Sequence, residues 1–253
     1  MRTRWRRSGT RCSRSPDTAV TFFFDVVLAV LPAVLAITLH EAAHGYAAWA
    51  LGDDTARRMG RLSLNPIRHI DPVGTVALPG FLLLSQLLTI GRVEFMFGWA
   101  KPVPVAAWKF SDPRRGMMWV AAAGPAMNVF LAWLGALAFH LFPAFPGPGF
   151  DWLILLAMRW IEFNLILALF NLIPIPPLDG GRILVGLLPL RLAEKVARLE
   201  RAGIAVVLLG FFLLPMLLRH AGFNADPLGW LLRATLQPAA RAVLWLAGHD
   251  IGA

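Results

Sequence analysis

Residues 19–50 read AVTFFFDVVLAVLPAVLAITLHEAAHGYAAWA, an apolar run that carries two histidines and a glutamate near its end. As a helix rising 1.5 Å per residue it extends on the order of 48 Å, longer than a hydrocarbon core of about 30 Å. It is therefore tilted, or its end projects from the membrane. His40 and His44 are four residues apart and share one helical face, so both can bind a single Zn²⁺ through neutral ring nitrogens. Glu41 between them is placed to act as general base on a water that the metal activates. With six His and five Glu in 253 residues, composition alone yields such a motif roughly 0.003 times. Polar residues in a span can be interhelical glue, but three within five residues are costly there without a partner. A zinc hydrolase motif inside a membrane span points to a protease that cuts within the membrane.

Composition supports the membrane reading. The chain is 57% hydrophobic and 15% charged, with a mean hydropathy of +0.62, which marks a polytopic membrane protein. Its length accommodates about five or six membrane segments with short loops. The net charge of +9 is spread over the loops between apolar runs. That pattern fits cytoplasmic loops under the positive-inside rule and argues against a nucleic-acid partner. The single cysteine, Cys12, excludes an internal disulfide and a cysteine-rich metal site.

Residues 1–18 form an arginine-rich tail, expected to be disordered and retained, because cleavage within the following run would remove the motif. The polar, basic stretches 52–72, 98–116 and 182–201 read as cytoplasmic loops. Residues 73–97 are apolar but interrupted by Pro79, Gly80 and Gly91. They suit a re-entrant, β-like insertion between the first and second core helices. Pro102 and Pro104 are spaced for an extended strand. Spans are expected at about 117–143, 152–173 and 202–218, with a basic amphipathic stretch at 189–201. Residues 227–248, broken by Arg233, Gln237, Pro238 and Arg241, read as an interfacial helix. The expected organisation is thus a tail at 1–18, a core at 19–190, and a C-terminal part at 191–253 holding a membrane helix and the interfacial helix.

A catalytic zinc needs three protein ligands and one open position. Asp25 is about 22 Å from His40 along a helix, too far to share an ion. Glu94 lies in the interrupted segment, and Glu162 has Arg159 at i−3 as a simple ion-pair partner. Asp179 stands in NLIPIPPLDGGR (171–182), where prolines forbid regular helix. Irregular backbone at membrane depth lines a cavity or is buried in protein, which makes Asp179 a functional candidate. The alternative is an Asp-Gly turn at the membrane surface. If the three basic stretches are cytoplasmic, then His40, His44, residues 124–128 and Asp179 reach similar depth near the cytoplasmic face. This scheme places the Arg-rich N-terminus outside, against the positive-inside rule. Asn128 follows the helix-kinking Gly124-Pro125, where an amide could bind substrate backbone or a developing oxyanion. Asn164 and Asn171 are seven apart and share a face. For each, interhelical hydrogen bonding is the competing role.

Together HEAAH (40–44), GPAMN (124–128) and NLIPIPPLDGGR resemble the site-2 protease family of intramembrane zinc metalloproteases. GRLSLNPIRHIDPVGT (60–75) and FGWAKPVPV (97–105) look like its short bacterial branch. The resemblance covers about 25–190. It implies one Zn²⁺ per chain held by His40, His44 and Asp179, with Glu41 as catalytic base. It also implies that Asn128 and Asn171 help hold the substrate or the transition state. Its substrates would be single-span membrane proteins. No PDZ-like insertion accompanies the motifs. The expectation is an all-α polytopic protein of the plasma membrane, embedded in the lipid bilayer, with its active site near the cytoplasmic side. The competing classes are a membrane metal or ion transporter and a non-proteolytic scaffold using the same His/Asp set. Neither needs Glu41.

Overall fold

The computed structural model describes residues 18–89, 91, 98–142, 150–223 and 226–250. The basic tail and Glu94 lie outside these residues. Among them every regular element is helical and no strand forms. Helix α1 (Thr18–Ala50) carries Pro32 inside it and is apolar around its whole circumference, as expected of a helix surrounded by lipid and protein rather than water. The short α2 (Thr55–Arg58) follows. The chain then turns at Asn65, whose side chain accepts from Ile67 N at 3.0 Å. It turns again at Asp71, whose side chain accepts from Val73 N and Gly74 N at 3.0 and 2.7 Å. Each cap precedes a proline at the first helical position, which has no N–H to leave unsatisfied.

After a wide helical turn at Pro72–Ala77, α3 (Leu78–Thr89) continues the apolar segment. The β-like insertion expected at 73–97 is therefore corrected over its described part. A leucine-rich run can satisfy its own backbone groups as helix, whereas a strand here would have no partner. The segment departs and returns through a narrow neck, where Trp99 N donates to Gly74 O at 3.1 Å and Thr75 Oγ1 to Trp99 O at 2.9 Å. Phe81, Leu84 and Leu88 of α3 remain exposed.

Beyond the neck, residues 98–106 form no regular secondary structure and join no sheet. Helix α4 (Pro113–Ala138) starts at Asp112, which accepts from Arg114 N and Arg115 N at 3.0 Å each. It is the central element and packs against α1, α5 (Phe150–Asn171), α6 (Asp179–Leu187) and α10 (Pro227–Leu246). Among the described residues, α4 and α5 are the two helices long and apolar enough to cross a membrane. Small residues let them approach: Ala132 and Ala136 of α4 share a core with Ile161 and Leu165 of α5 and with Val243 and Ala247. The basic α7 (Leu190–Arg198) follows, then α8 (Glu200–Leu208). A wide turn at Leu209–Leu213 leads into α9 (Leu214–His220). Helix α10 (Pro227–Leu246) packs against both α4 and α5.

Candidate metal centre

Three elements converge on one point. The last third of α1 presents His40 and His44, the first turn of α6 presents Asp179, and α4 closes the back. His40 Nε2 lies 3.1 Å from Asp179 Oδ2, and His44 Nε2 lies 3.3 Å from it. The two Nε2 atoms are 3.0 Å apart. His40 and Asp179 are buried and His44 is half-buried. Close approach of backbone makes this possible. A Cβ on Gly124 would stand 2.5 Å from His44 Cε1 and 2.6 Å from His40 Cε1, so α4 passes the two rings only as glycine. Gly180 and Gly181 serve α6 in the same way. A Cβ on Gly180 would lie 2.5 Å from Ile173 O, and one on Gly181 would lie 2.6 Å from Ile175 C. The LDGG motif thus folds the first turn of α6 tightly onto 172–176, with Asp179 at its positive end.

Proton accounting shows what the cluster is for. His40 Nδ1 faces Asn128 Oδ1 at 2.5 Å, and His44 Nδ1 faces Val120 O at 2.7 Å. Both partners are acceptors, so each ring carries its proton on Nδ1 and turns a bare Nε2 toward the other. Asp179 Oδ2 is buried and receives no hydrogen bond, although two ring nitrogens stand within 3.3 Å. Three lone-pair donors thus meet with no proton among them, an arrangement that a cation satisfies. His₂–carboxylate sets with an open fourth position are catalytic zinc sites. Among the described residues no other group of three metal-ligating side chains comes together.

Glu41 is half-buried beside this centre. Its Oε2 accepts from Val103 N at 3.1 Å, which fixes the carboxylate against the 98–106 segment. That segment is itself anchored by Asp53. Asp53 Oδ2 accepts from Ala106 N at 2.6 Å, while its Oδ1 accepts from Thr55 N at 2.9 Å and lies 3.2 Å from Lys109 Nζ. Burial pushes the Asp53 carboxyl up, but bonds from Thr55, Ala106 and Lys109 outweigh this and hold it below its ordinary value.

The asparagines divide. Asn128 is fully buried and both its amide hydrogens are committed, to Ala36 O at 3.2 Å and Asn164 Oδ1 at 2.9 Å. A contact of Asn128 with substrate or oxyanion would compete with these two bonds. Asn171 donates to Leu167 O of its own helix at 3.0 Å, outside the His40 network. Asn164 is the member of the α5 pair that reaches the site. Its only sequence signal is an amide in an apolar span. Neither Asp53 nor Val103 could be singled out by residue type.

The profile of peptidase family M50 matches residues 149–217. YwhC of Bacillus subtilis, provisionally named a zinc metalloprotease, is 40% identical over 190 residues, covering 72% of this chain and 78% of its own. The chain belongs to peptidase family M50. Rip2 of Mycobacterium tuberculosis, under a similar provisional name, is 31% identical over 158 residues, or 61% of this chain and 54% of its own. Rip2 of Mycolicibacterium smegmatis is 29% identical over 157 residues, with the same shares. No solved structure gives a significant match. As a member of this site-2 protease family, the chain is a membrane-embedded zinc metalloprotease. His40, His44 and Asp179 lie close enough together to hold its metal ion.

Proposed function

We propose that this chain hydrolyses peptide bonds within or near the transmembrane segment of single-span membrane proteins. The site would lie near the cytoplasmic face of a multi-pass plasma-membrane protein. One observation carries the reading: the bare Nε2 atoms of His40 and His44 and the donor-free Asp179 oxygen converge against the apolar helix α4. His40, His44 and Asp179 are the ligands in this reading. A Zn²⁺ held by these three residues would supply Lewis-acid chemistry, polarising a carbonyl and lowering the pKa of a water. Glu41, held by Val103 N–H, takes the proton from the water and returns it to the leaving amine.

One feature supports the orientation. Arg57, Arg58, Arg61, Arg68, Lys101, Lys109, Arg114 and Arg115 all flank the end of α1 and the start of α4, as expected of cytoplasmic loops. The centre draws on residues 40 to 179, which is consistent with a catalytic core at 19–190. The test is cleavage of a panel of single-span substrates by purified protein in liposomes, with Glu41→Gln run alongside and zinc measured in both. Wild type is expected to cleave, and Glu41→Gln to retain zinc with activity about 10²–10⁴-fold lower. Equal cleavage by the two would remove Glu41 as base, and well-folded wild type without zinc would end the reading.

A further inference from the structure

His40 can serve the centre only if its proton stays on Nδ1, because Nε2 must offer a lone pair. In water a neutral imidazole prefers the opposite tautomer. The atom facing Nδ1 belongs to an amide, Asn128, and an amide can present either its oxygen or its nitrogen. Its other neighbours settle the choice. Ala36 O, in α1, stands 3.2 Å from Asn128 Nδ2 and can only accept. Turning the amide over would set Oδ1 against that carbonyl. It would also offer N–H to His40 Nδ1, driving the ring proton onto Nε2, toward the metal position.

Asn164 adds a second constraint. Its Nδ2 donates to Trp160 O, one turn back in α5, at 2.8 Å, which leaves its Oδ1 to accept from Asn128 Nδ2 at 2.9 Å. Trp160 Nε1 in turn donates to Leu131 O at 2.7 Å, fixing this turn of α5 against α4. Both amides are fully buried, so water cannot substitute for a missing partner. The chain of donors therefore has one assignment, running from the ring in α1 through two amides to the backbone carbonyl of Trp160 in α5.

We infer that Asn164 and Asn128 form a tautomer lock, two positioning residues that hold the proton on His40 Nδ1 and keep Nε2 bare for the metal. The inference rests on the reading of His40 as a zinc ligand. It differs from interhelical glue in a measurable way, since glue holds helices together without selecting a tautomer.

The test uses full-length protein in liposomes with ¹⁵N-labelled histidine, stripped of metal by chelator. The ring-nitrogen spectrum reports the tautomer, and His40→Gln identifies the His40 signals. Zinc is then titrated against a competing chelator. Wild type is expected to show His40 protonated on Nδ1. Asn128→Leu is expected to shift it to Nε2 and to weaken zinc binding about 10–100-fold, the usual scale for lost support of a ligand. Asn164→Leu is expected to give mixed tautomers and a loss near the lower end, about tenfold. Asn164→Thr, whose hydroxyl can bond Trp160 O and still accept, is expected to recover most of both. Unchanged tautomer in both Leu variants overturns the lock, even if zinc weakens through altered packing. A wild-type protein that takes up no zinc overturns the zinc reading instead. The metal-free tautomer spectrum still decides the lock in that case.

Discussion

His40 and His44 meet edge-on, with ring planes at 90° and centroids 4.6 Å apart, whereas His140 and His249 stack with planes within 6° and centroids 4.2 Å apart. The two pairs spend opposite nitrogens. In the first pair both Nδ1 atoms face protein acceptors, and the bare Nε2 atoms converge on Asp179. In the second pair Nε2 is the bonded atom. His140 Nε2 donates to Ala247 O at 2.7 Å and His249 Nε2 to Ala136 O at 2.8 Å. Ala136 lies in the last turn of α4, and Ala247 just follows α10. Carbonyls near a helix C-terminus have acceptor capacity to spare, Ala136 O receiving among the described residues only the Phe139 N–H at 3.2 Å besides His249, so each histidine caps the other helix and the pair forms a reciprocal clasp. The function of a histidine pair is thus set by which nitrogen the surrounding acceptors claim.

The acids repeat the contrast. Asp179 Oδ2 receives no hydrogen bond. Asp53, equally enclosed, receives bonds from Thr55, Ala106 and Lys109. A buried carboxylate with its donors in place is structural, and one without them calls for a cation.

Asp179→Ala tests this contrast most severely. It leaves two bare nitrogens with no acid, and both bound zinc and cleavage are expected to fall to background by metal analysis and substrate assay. Full zinc occupancy in that variant would mean that the convergence is not the metal site. Asp53→Ala acts on stability instead. Freeing Ala106 N–H and Thr55 N–H is expected to cost on the order of 2 kcal/mol at neutral pH, seen as a lower unfolding midpoint in detergent with zinc still bound. The folded Asp53 carboxyl lies below its ordinary value of 3.8. Its contribution is therefore complete above that pH and is lost as pH falls through the folded value. The gap between wild type and Asp53→Ala should begin to narrow below about pH 4 and keep narrowing as pH falls toward the folded value, and a gap that stays constant over that fall would assign the stabilisation elsewhere. His140→Phe is expected to have the smallest effect, about 1 kcal/mol for one cap bond, with zinc and activity unchanged. Loss of zinc in His140→Phe would break the distinction between the two pairs.

Local pattern made much of the centre legible. Two histidines at helical spacing share a face whatever else the chain does, and Glu41 travels with them. The Pro-rich approach and double glycine around Asp179 could be recognised because few structures accept such backbone at membrane depth. The helical state of 78–89 was harder to read. An apolar segment punctuated by Pro and Gly fits several backbones, and its state depends on whether a partner strand exists. Asn128 and Asn164 were visible as polar residues in spans, yet their partners were not, because hydrogen bonds across α1, α4 and α5 depend on how three helices pack.

The sequence by itself determined the kind of protein, two histidines on one helical face and a candidate general base between them, since each follows from composition or from spacing along one helix. Only the tertiary structure decided which nitrogen of each histidine is free, which amide supports the site, and which acid is structural. Those outcomes depend on donors and acceptors brought together from residues as far apart as Ala36 and Asn128, and no local spacing encodes them.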